Sequence, residues 1–597
     1  YTENKIEVHS DDEVPSIAII PFENKGTEQD VFYAYGISAD LITDCSSAGL
    51  IRVASLKDVE KLDYNNMETS DLSDKLLVRY VSQGVLWKMG DMFQLSVELY
   101  DTKDKNLVWS DRWQEKWDNL PTIKGSLSDG LLKALNIKPK VEKRVDTTNP
   151  EAYEFYLKAR NKYVKRSNRD DTKIAQGLFK KAIALDYNLI SAKTLLGRTY
   201  IDMGYYDEAM EILTVSLKLA IKLSDKAGMG ESLCNIGIVH YYKSDYEKSL
   251  EYQSKSLLIR EEIADKLGMG ASLTNIGLLH RAKCDYDKAI TFYYKSLAIY
   301  KELDDKNGVG SSLCNIGLVY SDKNEYDKAQ DCYNRSLAIQ EELGDKYGMG
   351  ATLNNIGILH YYKNDYEKAL HCYERSLAIQ EELGDRASIA LTLGNIGLIH
   401  TNKGNYDRAL EDHTRSIVIF EEINDNRSIG ESLSDIGNLY KHKADYDKAL
   451  DCHTRSLVIW EGISDQYGIS SSMNNIGVIH YYKGEYEKAV VNLEKSLNIQ
   501  KEISSKDFEL ETTTYLYLTY KYLIKSYDKK EIYRLIKDAD NIDFCINFNI
   551  YRLLEKQSYL KSAYKQVKEL ESVVDDCEKF LSYPIPKAII AAWERAK

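Results

Sequence analysis

Hydrophobic and polar positions in the central part of the chain repeat with a fixed period. The tripeptide Asn-Ile-Gly marks this period, and an aspartate replaces its asparagine once. The first residues of these tripeptides, spaced 40 positions apart, are Asn235, Asn275, Asn315, Asn355, Asn395, Asp435 and Asn475. A period in this range is the signature of a stacked repeat architecture, in which each unit buries its apolar face against its neighbours.

Within one period the apolar residues follow helical spacing twice. Leu353, Ile356 and Ile358 predict the apolar face of a first helix, and Asp365 is a natural N-cap for a second one. Apolar positions of the second helix are Tyr366, Ala369, Leu370, Tyr373, Leu377 and Ile379. A glycine inside a helix costs about 1 kcal/mol relative to alanine, so Gly317 and its equivalents require a packing reason. We predict that Gly317→Leu would push adjacent helices apart.

The first 140 residues lack this period and alternate between strand and helix patterns. Short apolar or alternating runs predict strands at residues 16–20, 50–53, 80–87, 93–99 and 106–113. Apolar residues at helical spacing predict helices at 31–45 and 120–135. A strand-helix-strand unit followed by an antiparallel meander is an α+β arrangement. We therefore predict a small α+β domain ahead of the repeats.

Two changes of pattern divide the rest of the chain. Residues 138–150 are charged and contain two prolines, which is typical of a linker. Beyond Asp507 the period ends while helical patterns continue, as expected for an atypical end cap. The predicted organisation is a tail at 1–14, an α+β domain at 15–137, a linker at 138–148, a repeat array at 149–506 and a helical cap at 507–597.

The repeats resemble the tetratricopeptide repeat, in the 40-residue form seen in kinesin light chains and bacterial peptide-sensing regulators. The matching positions are Leu or Ile then Gly in the first helix, Asp-Tyr-x-Lys-Ala at the start of the second, and Ser-Leu-x-Ile near its end. The resemblance covers roughly residues 149–506. It implies a mainly α fold, a right-handed tetratricopeptide superhelix whose first helices line a concave groove.

The N-terminal segment resembles the TolB-like domain of bacterial multidomain signalling proteins. The matching stretches include Pro15 to Asn24, Gly36-Ile37-Ser38, Leu50 to Val53, Val97 to Asp101 and Leu107 to Arg112. They cover most of residues 15–137 in the expected order. The family often has an aspartate where this chain has Tyr35, so no site is transferred to that loop. The resemblance implies a binding or regulatory domain rather than a catalyst.

Composition excludes several classes of function. The net charge of −14 leaves no basic excess for nucleic-acid phosphates. No run of about 18 apolar residues is present, so we predict no membrane span within the chain. Cys332, Cys372 and Cys452 occupy the same repeat position on separate helices, beyond disulfide reach. Unpaired thiols favour a reducing compartment such as the cytoplasm, although a tether ahead of Tyr1 stays open.

We find no catalytic, metal or cofactor motif in the sequence. Five histidines obey the period, at His240, His280, His360, His400 and His480, and tyrosine replaces histidine in two repeats. A metal site would not tolerate that exchange, so we predict packing roles. The repeated Gly-Met-Gly, as at 228–230, lacks the Gly-Lys-Ser/Thr ending of a phosphate loop, and we interpret it as a turn between repeats. We therefore predict a non-enzymatic protein.

The candidate site is the groove-facing side of the first helices. The seven residues that open the repeated tripeptide would form a ladder of amides, interrupted by the carboxylate of Asp435. Amides offer donors and acceptors to an extended peptide backbone. Flanking aromatic candidates are Tyr241, Tyr242, Tyr361, Tyr362, Tyr481 and Tyr482. The alternative, that the asparagines bond to the adjacent helix and hold the array together, is given equal weight, and one residue can serve both roles.

Two functions of different classes follow from these observations. The first is an interaction scaffold or regulatory module whose groove binds a protein or peptide partner. The second is the regulatory C-terminal part of a class III adenylate or guanylate cyclase, with its catalytic domain upstream of Tyr1. That alternative comes from the resemblance, since such tandems often follow cyclase domains. If the partner carries a basic residue, we expect it to meet Asp435.

Overall fold

The computed structural model describes residues 15–47, 51–137, 147–166, 169–503, 505, 508–539, 542–572, 574 and 576–596. The predicted tail at 1–14 and most of the predicted linker, residues 138–146, lie outside the described residues. The chain forms two units, Tyr1–Asp345 and Lys346–Lys597, and each is described by itself.

The first unit begins with a six-stranded sheet and its helices. In chain order these are β1 (Ser16–Ile19), β2 (Glu23–Asn24), α1 (Val31–Ser47), β3 (Arg52–Val53), α2 (Leu56–Glu60), α3 (Thr69–Leu76), β4 (Tyr80–Met89), β5 (Met92–Asp101), β6 (Asn106–Lys116) and α4 (Leu120–Ala134). The sheet order is β3-β1-β4-β5-β6, with β2 beside β4. β1 is parallel to β3 and β4, and β4, β5 and β6 form an antiparallel meander. The predicted α+β arrangement is confirmed.

Side-chain alternation explains the meander. Phe93, Leu95 and Val97 on β5 are fully buried, and the residues between them face away from the core. Gly90 has a φ of +60° at the turn between β4 and β5, a conformation that favours glycine. The sequence pattern therefore determines which face of the sheet is buried.

Helix pairs follow in the same unit. They are α5 (Pro150–Val164), α6 (Arg169–Leu185), α7 (Ile190–Asp202), α8 (Tyr206–Lys222), α9 (Lys226–Tyr242), α10 (Tyr246–Glu262), α11 (Lys266–Ala282), α12 (Tyr286–Glu302), α13 (Lys306–Asp322) and α14 (Tyr326–Leu343). From α9 onwards they are the first and second helices of the 40-residue period. The Gly-Met-Gly at 228–230 lies in the first turn of α9, so its assignment to an inter-repeat turn was wrong: Asp225 caps the helix and accepts a hydrogen bond from Gly228 N.

The sheet domain and the first helix pair share one hydrophobic core, which extends from Ile17 to Leu196. At its centre the buried Asp40 on α1 accepts hydrogen bonds from Tyr153 and Arg160 on α5, and Lys124 on α4 lies 3.2 Å away. Burial alone would raise the pKa of Asp40, but the neighbouring Lys124 and Arg160 hold it below its ordinary value. The α+β domain is therefore joined to the array by a paired charge as well as by apolar contacts.

The second unit continues the period and then departs from it. Its repeat helices are α15 (Lys346–Tyr362), α16 (Tyr366–Leu383), α17 (Arg386–Asn402), α18 (Tyr406–Ile423), α19 (Asn426–His442), α20 (Tyr446–Gly462), α21 (Gln466–Tyr482) and α22 (Tyr486–Glu502). The helices beyond the period are α23 (Glu509–Tyr522), α24 (Lys529–Asp538), α25 (Phe544–Leu554), α26 (Gln557–Glu571), α27 (Cys577–Ser582) and α28 (Pro584–Ala596).

Two kinds of contact join the two helices of each pair in the 40-residue period. The first is the tripeptide glycine, which lies against the second helix: a Cβ added to Gly317 would stand 2.6 Å from the ring of Tyr333. The second is a buried serine on the second helix that donates to a carbonyl of the first, as Ser336 Oγ does to Gly310 O at 2.8 Å. Equivalent bonds join Ser256, Ser296, Ser376, Ser416 and Ser456 to the first helix of their own pair. The predicted packing role of the glycine has a clear structural basis.

Candidate functional site

Most of the tripeptide asparagines lie on the partly exposed side of the first helices. The isoleucine and glycine that follow each of them are buried. Asn275, Asn315, Asn355 and Asn395 are half-buried, and the Asp435 side chain is 39% exposed. Asn235 and Asn475 are each only 7% exposed. The tripeptide therefore combines two buried packing residues with one residue that is partly accessible to solvent.

Each of these residues belongs to a surface that we call the open stripe. It consists of four positions of a first helix, spaced i, i+4, i+7 and i+11, which share one helix face. In α15 these are Ala351, Asn355, Ile358 and Tyr362, of which Ala351 and Tyr362 are exposed and the other two half-buried. The buried Leu353 occupies the opposite face, and the buried Leu359 lies beside the stripe. The amide thus stands in the middle of the accessible face.

Two of the asparagines also bond to the preceding first helix. Asn395 Nδ2 donates to Asn354 Oδ1 at 3.1 Å. Asn275 Nδ2 lies 3.4 Å from both Cys234 Sγ and Gln253 Oε1. These contacts support the alternative role of the asparagines, which is to bond to the adjacent helix and hold the array together. They use the Nδ2 donors, and an amide group also carries an Oδ1 acceptor.

The tyrosine candidates differ in their surroundings. Tyr242 and Tyr362 are exposed, whereas Tyr241 and Tyr361 are half-buried. Tyr242 stacks on Tyr206 of the preceding repeat, with ring centres 5.4 Å apart. In the second unit, Asn402 Nδ2 donates to Tyr361 Oη at 2.6 Å, so helices α15 and α17 are joined at this end.

The C-terminal helices cover the last part of the predicted site in the second unit. Asn475 and Tyr481, which is 4% exposed, are buried, and Tyr481 belongs to a core that also contains residues of α23 and α25. Tyr482 Oη lies 2.8 Å from Tyr515 Oη on α23, and the guanidinium of Arg552 lies 5.8 Å from the ring centre of Tyr481. Tyr481 and Tyr482 therefore contact the C-terminal segment of the same chain.

The same segment also reaches the α18 repeat. Tyr583 packs on Tyr406 with ring centres 4.8 Å apart, and Lys579 forms an ion pair with Asp407. Phe580, buried in the same cluster, lies close to the backbone of Gly404. The end segment therefore folds back along the second unit beyond the last repeat, which the sequence pattern did not predict.

Asp435 differs from the other ladder residues in its chemistry. Loss of hydration, together with the nearby Glu431, raises the pKa of Asp435 to about 7. Its Oδ2 lies 3.9 Å from Nδ1 of His413 on α18. Sequence reasoning missed Glu431, Asn402 and His413 as neighbours of the site. Glu431 could have been noticed, because alanine or serine occupies the equivalent position in most other repeats.

A separate cleft of about 870 Å³ lies in the first unit between the α+β domain and the ends of the array helices. Arg52 pairs with Asp304 at 2.7 Å, and Asn307 Nδ2 donates to Asp58 Oδ1 at 3.2 Å across it. Ser311, on the open stripe of α13, also lines the cleft. The domain thus contacts the array beside Asn315.

The described part of the chain contains no group of three or more His, Cys, Asp or Glu residues placed to hold a metal ion. No described helix is long and apolar enough to cross a membrane. His413 and His453 are buried beside the repeat glycines, and burial lowers the pKa of His413 to about 4 and that of His453 to about 3. Both rings are therefore neutral at physiological pH.

Comparison with known proteins identifies the repeats. Family models described as tetratricopeptide repeat match residues 190–220, 228–302, 268–342, 308–382, 388–457 and 428–502. A Rhizobium meliloti (strain 1021) protein named as an adenylate cyclase is 24% identical over 152 residues, which are 24% of this chain and 26% of that protein. The match therefore spans about a quarter of the relative's length.

Two solved structures are among those similar to this chain. A Rap protein complexed with competence and sporulation factor is 16% identical, with a TM-score of 0.42, over 59% of this chain and 99% of its own. The apo quorum sensor NprR from B. thuringiensis is 15% identical, with a TM-score of 0.42, over 58% of this chain and 98% of its own.

Proposed function

The chain carries an array of tetratricopeptide repeats, and on this premise we propose that it is a non-enzymatic scaffold that binds an extended protein segment along the open stripe. The observation that carries the proposal is the row of amides in the middle of the accessible face of successive first helices. If these amides served only to hold the array together, their partial exposure to solvent would have no role.

The repeat spacing suits an extended segment. Packed helices lie roughly 8–10 Å apart, and an extended chain rises about 3.3 Å per residue. Each ladder residue would therefore meet about every third residue of the bound segment. The segment's own N–H and C=O groups lose water on binding and need hydrogen-bond partners. Each amide provides both a donor and an acceptor. The stripe also carries apolar and aromatic side chains, such as Ile358 and Tyr362, for the segment's side chains.

The proposal of a non-enzymatic role rests on the kind of side chains along the stripe. Amide, aliphatic and phenol groups dominate, and they bind backbone and apolar surface rather than activating a nucleophile. Carboxylates also occur on the stripe, at Glu231, Asp322, Glu431 and Asp435, and the histidine beside Asp435, His413, is buried and neutral. We therefore assign recognition to the stripe.

The test uses peptides selected from a displayed random library on the full chain. We expect Asn355→Ala/Asn395→Ala to weaken binding of a selected peptide by at least about tenfold, because each lost amide contact is worth roughly 1 kcal/mol. The matched control is Asn498→Ala, an exposed asparagine on the second helix α22. Far-ultraviolet circular dichroism should stay helical in all three proteins. Unchanged affinity in the double variant would reject the ladder as the site.

A second candidate function assigns the same array to the regulatory part of an enzyme. We propose as the alternative that the chain is the regulatory part of a nucleotide cyclase, with a TolB-like domain at residues 15–137. The supporting observation is the 152-residue similarity to the protein named as an adenylate cyclase. The coding sequence ahead of Tyr1 tests it directly. An in-frame cyclase catalytic domain supports the alternative, and any other domain there removes its basis.

A further inference from the structure

The open stripe of α19 has a different chemical character from that of its neighbours. It consists of Glu431, Asp435, Asn438 and His442. The equivalent positions of α15 are Ala351, Asn355, Ile358 and Tyr362, which carry no charge. Within the second unit, the stripe of α19 therefore presents carboxylates where the stripes of α15, α17 and α21 present small, apolar, amide or phenol side chains.

Asp435 has no basic partner among the described residues. No lysine or arginine nitrogen of that part of the chain lies within 4.0 Å of its carboxylate. Arg427, one turn before Glu431 on the same helix, is occupied by Asp465 at 3.3 Å and Glu431 at 3.5 Å. A partly exposed carboxylate flanked by a second acid favours a positively charged ligand.

Two buried polar groups next to this carboxylate also lack partners. His413 is 1% exposed, and neither of its ring nitrogens makes a hydrogen bond, although Nδ1 faces Asp435 at 3.9 Å. Its ring is neutral, so it supplies no charge to the carboxylate. Asn438 Oδ1, one turn along the same face of α19, is buried and accepts no hydrogen bond. The carboxylate therefore receives no hydrogen bond from these buried neighbours, and a positively charged donor from a ligand would be its partner.

We propose that the segment bound along the second unit's open stripe carries a lysine or arginine side chain that docks on the partly exposed carboxylate of Asp435. This inference rests on the proposed function, since it names the partner chemistry of the same surface. An acidic or phosphorylated segment would meet two carboxylates at this repeat and is disfavoured. The basic side chain fixes the register of the segment, because Asn355 and Asn395 accept any backbone.

The experiment compares peptides selected on the full chain with those selected on Asp435→Asn. The library displays random peptides of about twelve residues, which span roughly 40 Å when extended. Asparagine occupies this position in six other repeats, so the variant retains the fold and removes only the charge. We expect a shared lysine or arginine among peptides selected on the unsubstituted chain and none among those selected on the variant.

Affinities measured with one selected peptide complete the test. We expect Asp435→Asn to weaken its binding about tenfold, as for loss of one charge-assisted hydrogen bond. The same peptide with glutamine in place of its basic residue should bind both proteins equally. If peptides are selected but lack a basic residue, and Asn355→Ala/Asn395→Ala abolishes their binding, the inference fails while the proposed function stands. If the full chain selects no peptide, both fail.

Discussion

The glycine of the repeated tripeptide offers a sharp test of how the array packs. Gly310 and Gly317 lie on the same helix, α13, but meet different surroundings. A Cβ at Gly317 would stand 2.6 Å from the Tyr333 ring, whereas at Gly310 the nearest atom, on Ile339, is 3.5 Å away. Tyr333 is almost fully buried and cannot swing into solvent. Alanine should therefore fit one site and not the other.

The magnitude follows from two opposing terms. Replacing a helical glycine by alanine stabilises by about 1 kcal/mol, so Gly310→Ala should raise the free energy of unfolding by up to that amount. Gly317→Ala gains the same helix-propensity free energy, but the tyrosine ring must move by about 1 Å to restore ordinary contact distance. Overpacking of this kind costs about 1–3 kcal/mol. We expect the two variants to differ by about 1–3 kcal/mol, with Gly317→Ala the less stable, and Gly317→Leu to be worse still.

Hydrogen exchange measured on peptides from α13 and α14 is the suitable assay, because a repeat array opens locally. Thermal melting followed by circular dichroism gives the global comparison. Gly317→Ala should cost less stability in a Tyr333→Ala background than in the unsubstituted chain, which would show that the two side chains are coupled. Equal protection in Gly310→Ala and Gly317→Ala would refute the close-packing explanation of the repeated glycine.

Three further predictions follow from particular side chains. The folded-state pKa values of about 4 for His413 and about 3 for His453 lie below that of an unfolded histidine, so the folded state loses stability as pH falls from about 6.5 towards 4. The variant His413→Tyr/His453→Tyr places at both positions the tyrosine that other repeats carry there. We expect it to reduce this loss of stability by on the order of 2–3 kcal/mol per histidine in denaturant titrations at pH 4. A loss that persists unchanged would exclude the histidines as its source. With the pKa of Asp435 raised to about 7, a basic peptide should bind more tightly at pH 8 than at pH 6, and Asp435→Asn should remove this dependence in fluorescence polarisation. Tyr583→Ala should increase hydrogen exchange in α27 and α28, because the ring packs on Tyr406, and unchanged exchange would mean that this contact does not hold the segment.

The periodic part of the fold could be predicted from sequence because each repeat contains the residues that determine its own packing. The Gly317 and Tyr333 positions recur every 40 residues, so the helix pairs and their buried faces follow from the pattern. Strands of the α+β domain were predicted within a few residues where alternation was long, as in β5. The short β2, α2 and α3 were missed, because a few residues carry no readable period.

The candidate site could be predicted only in part. Helical spacing places the asparagines on one face, but the bond between Asn395 and Asn354 depends on the distance between neighbouring helices. The covering of Asn475 and Tyr481 depends on how α25 and its neighbours fold back, and these helices lack the repeat pattern. Contacts between unlike segments of a chain are set by tertiary packing rather than by local periodicity.

Photo-crosslinking tests the central claim most directly. Ala351 lies on the open stripe of α15, and Ala378 is an exposed alanine on the second helix α16 of the same pair. Each is replaced in turn by p-benzoylphenylalanine, and the protein is irradiated with a peptide selected on the full chain. We predict a crosslink from position 351 and none from position 378. Crosslinking from position 378 alone would contradict this prediction.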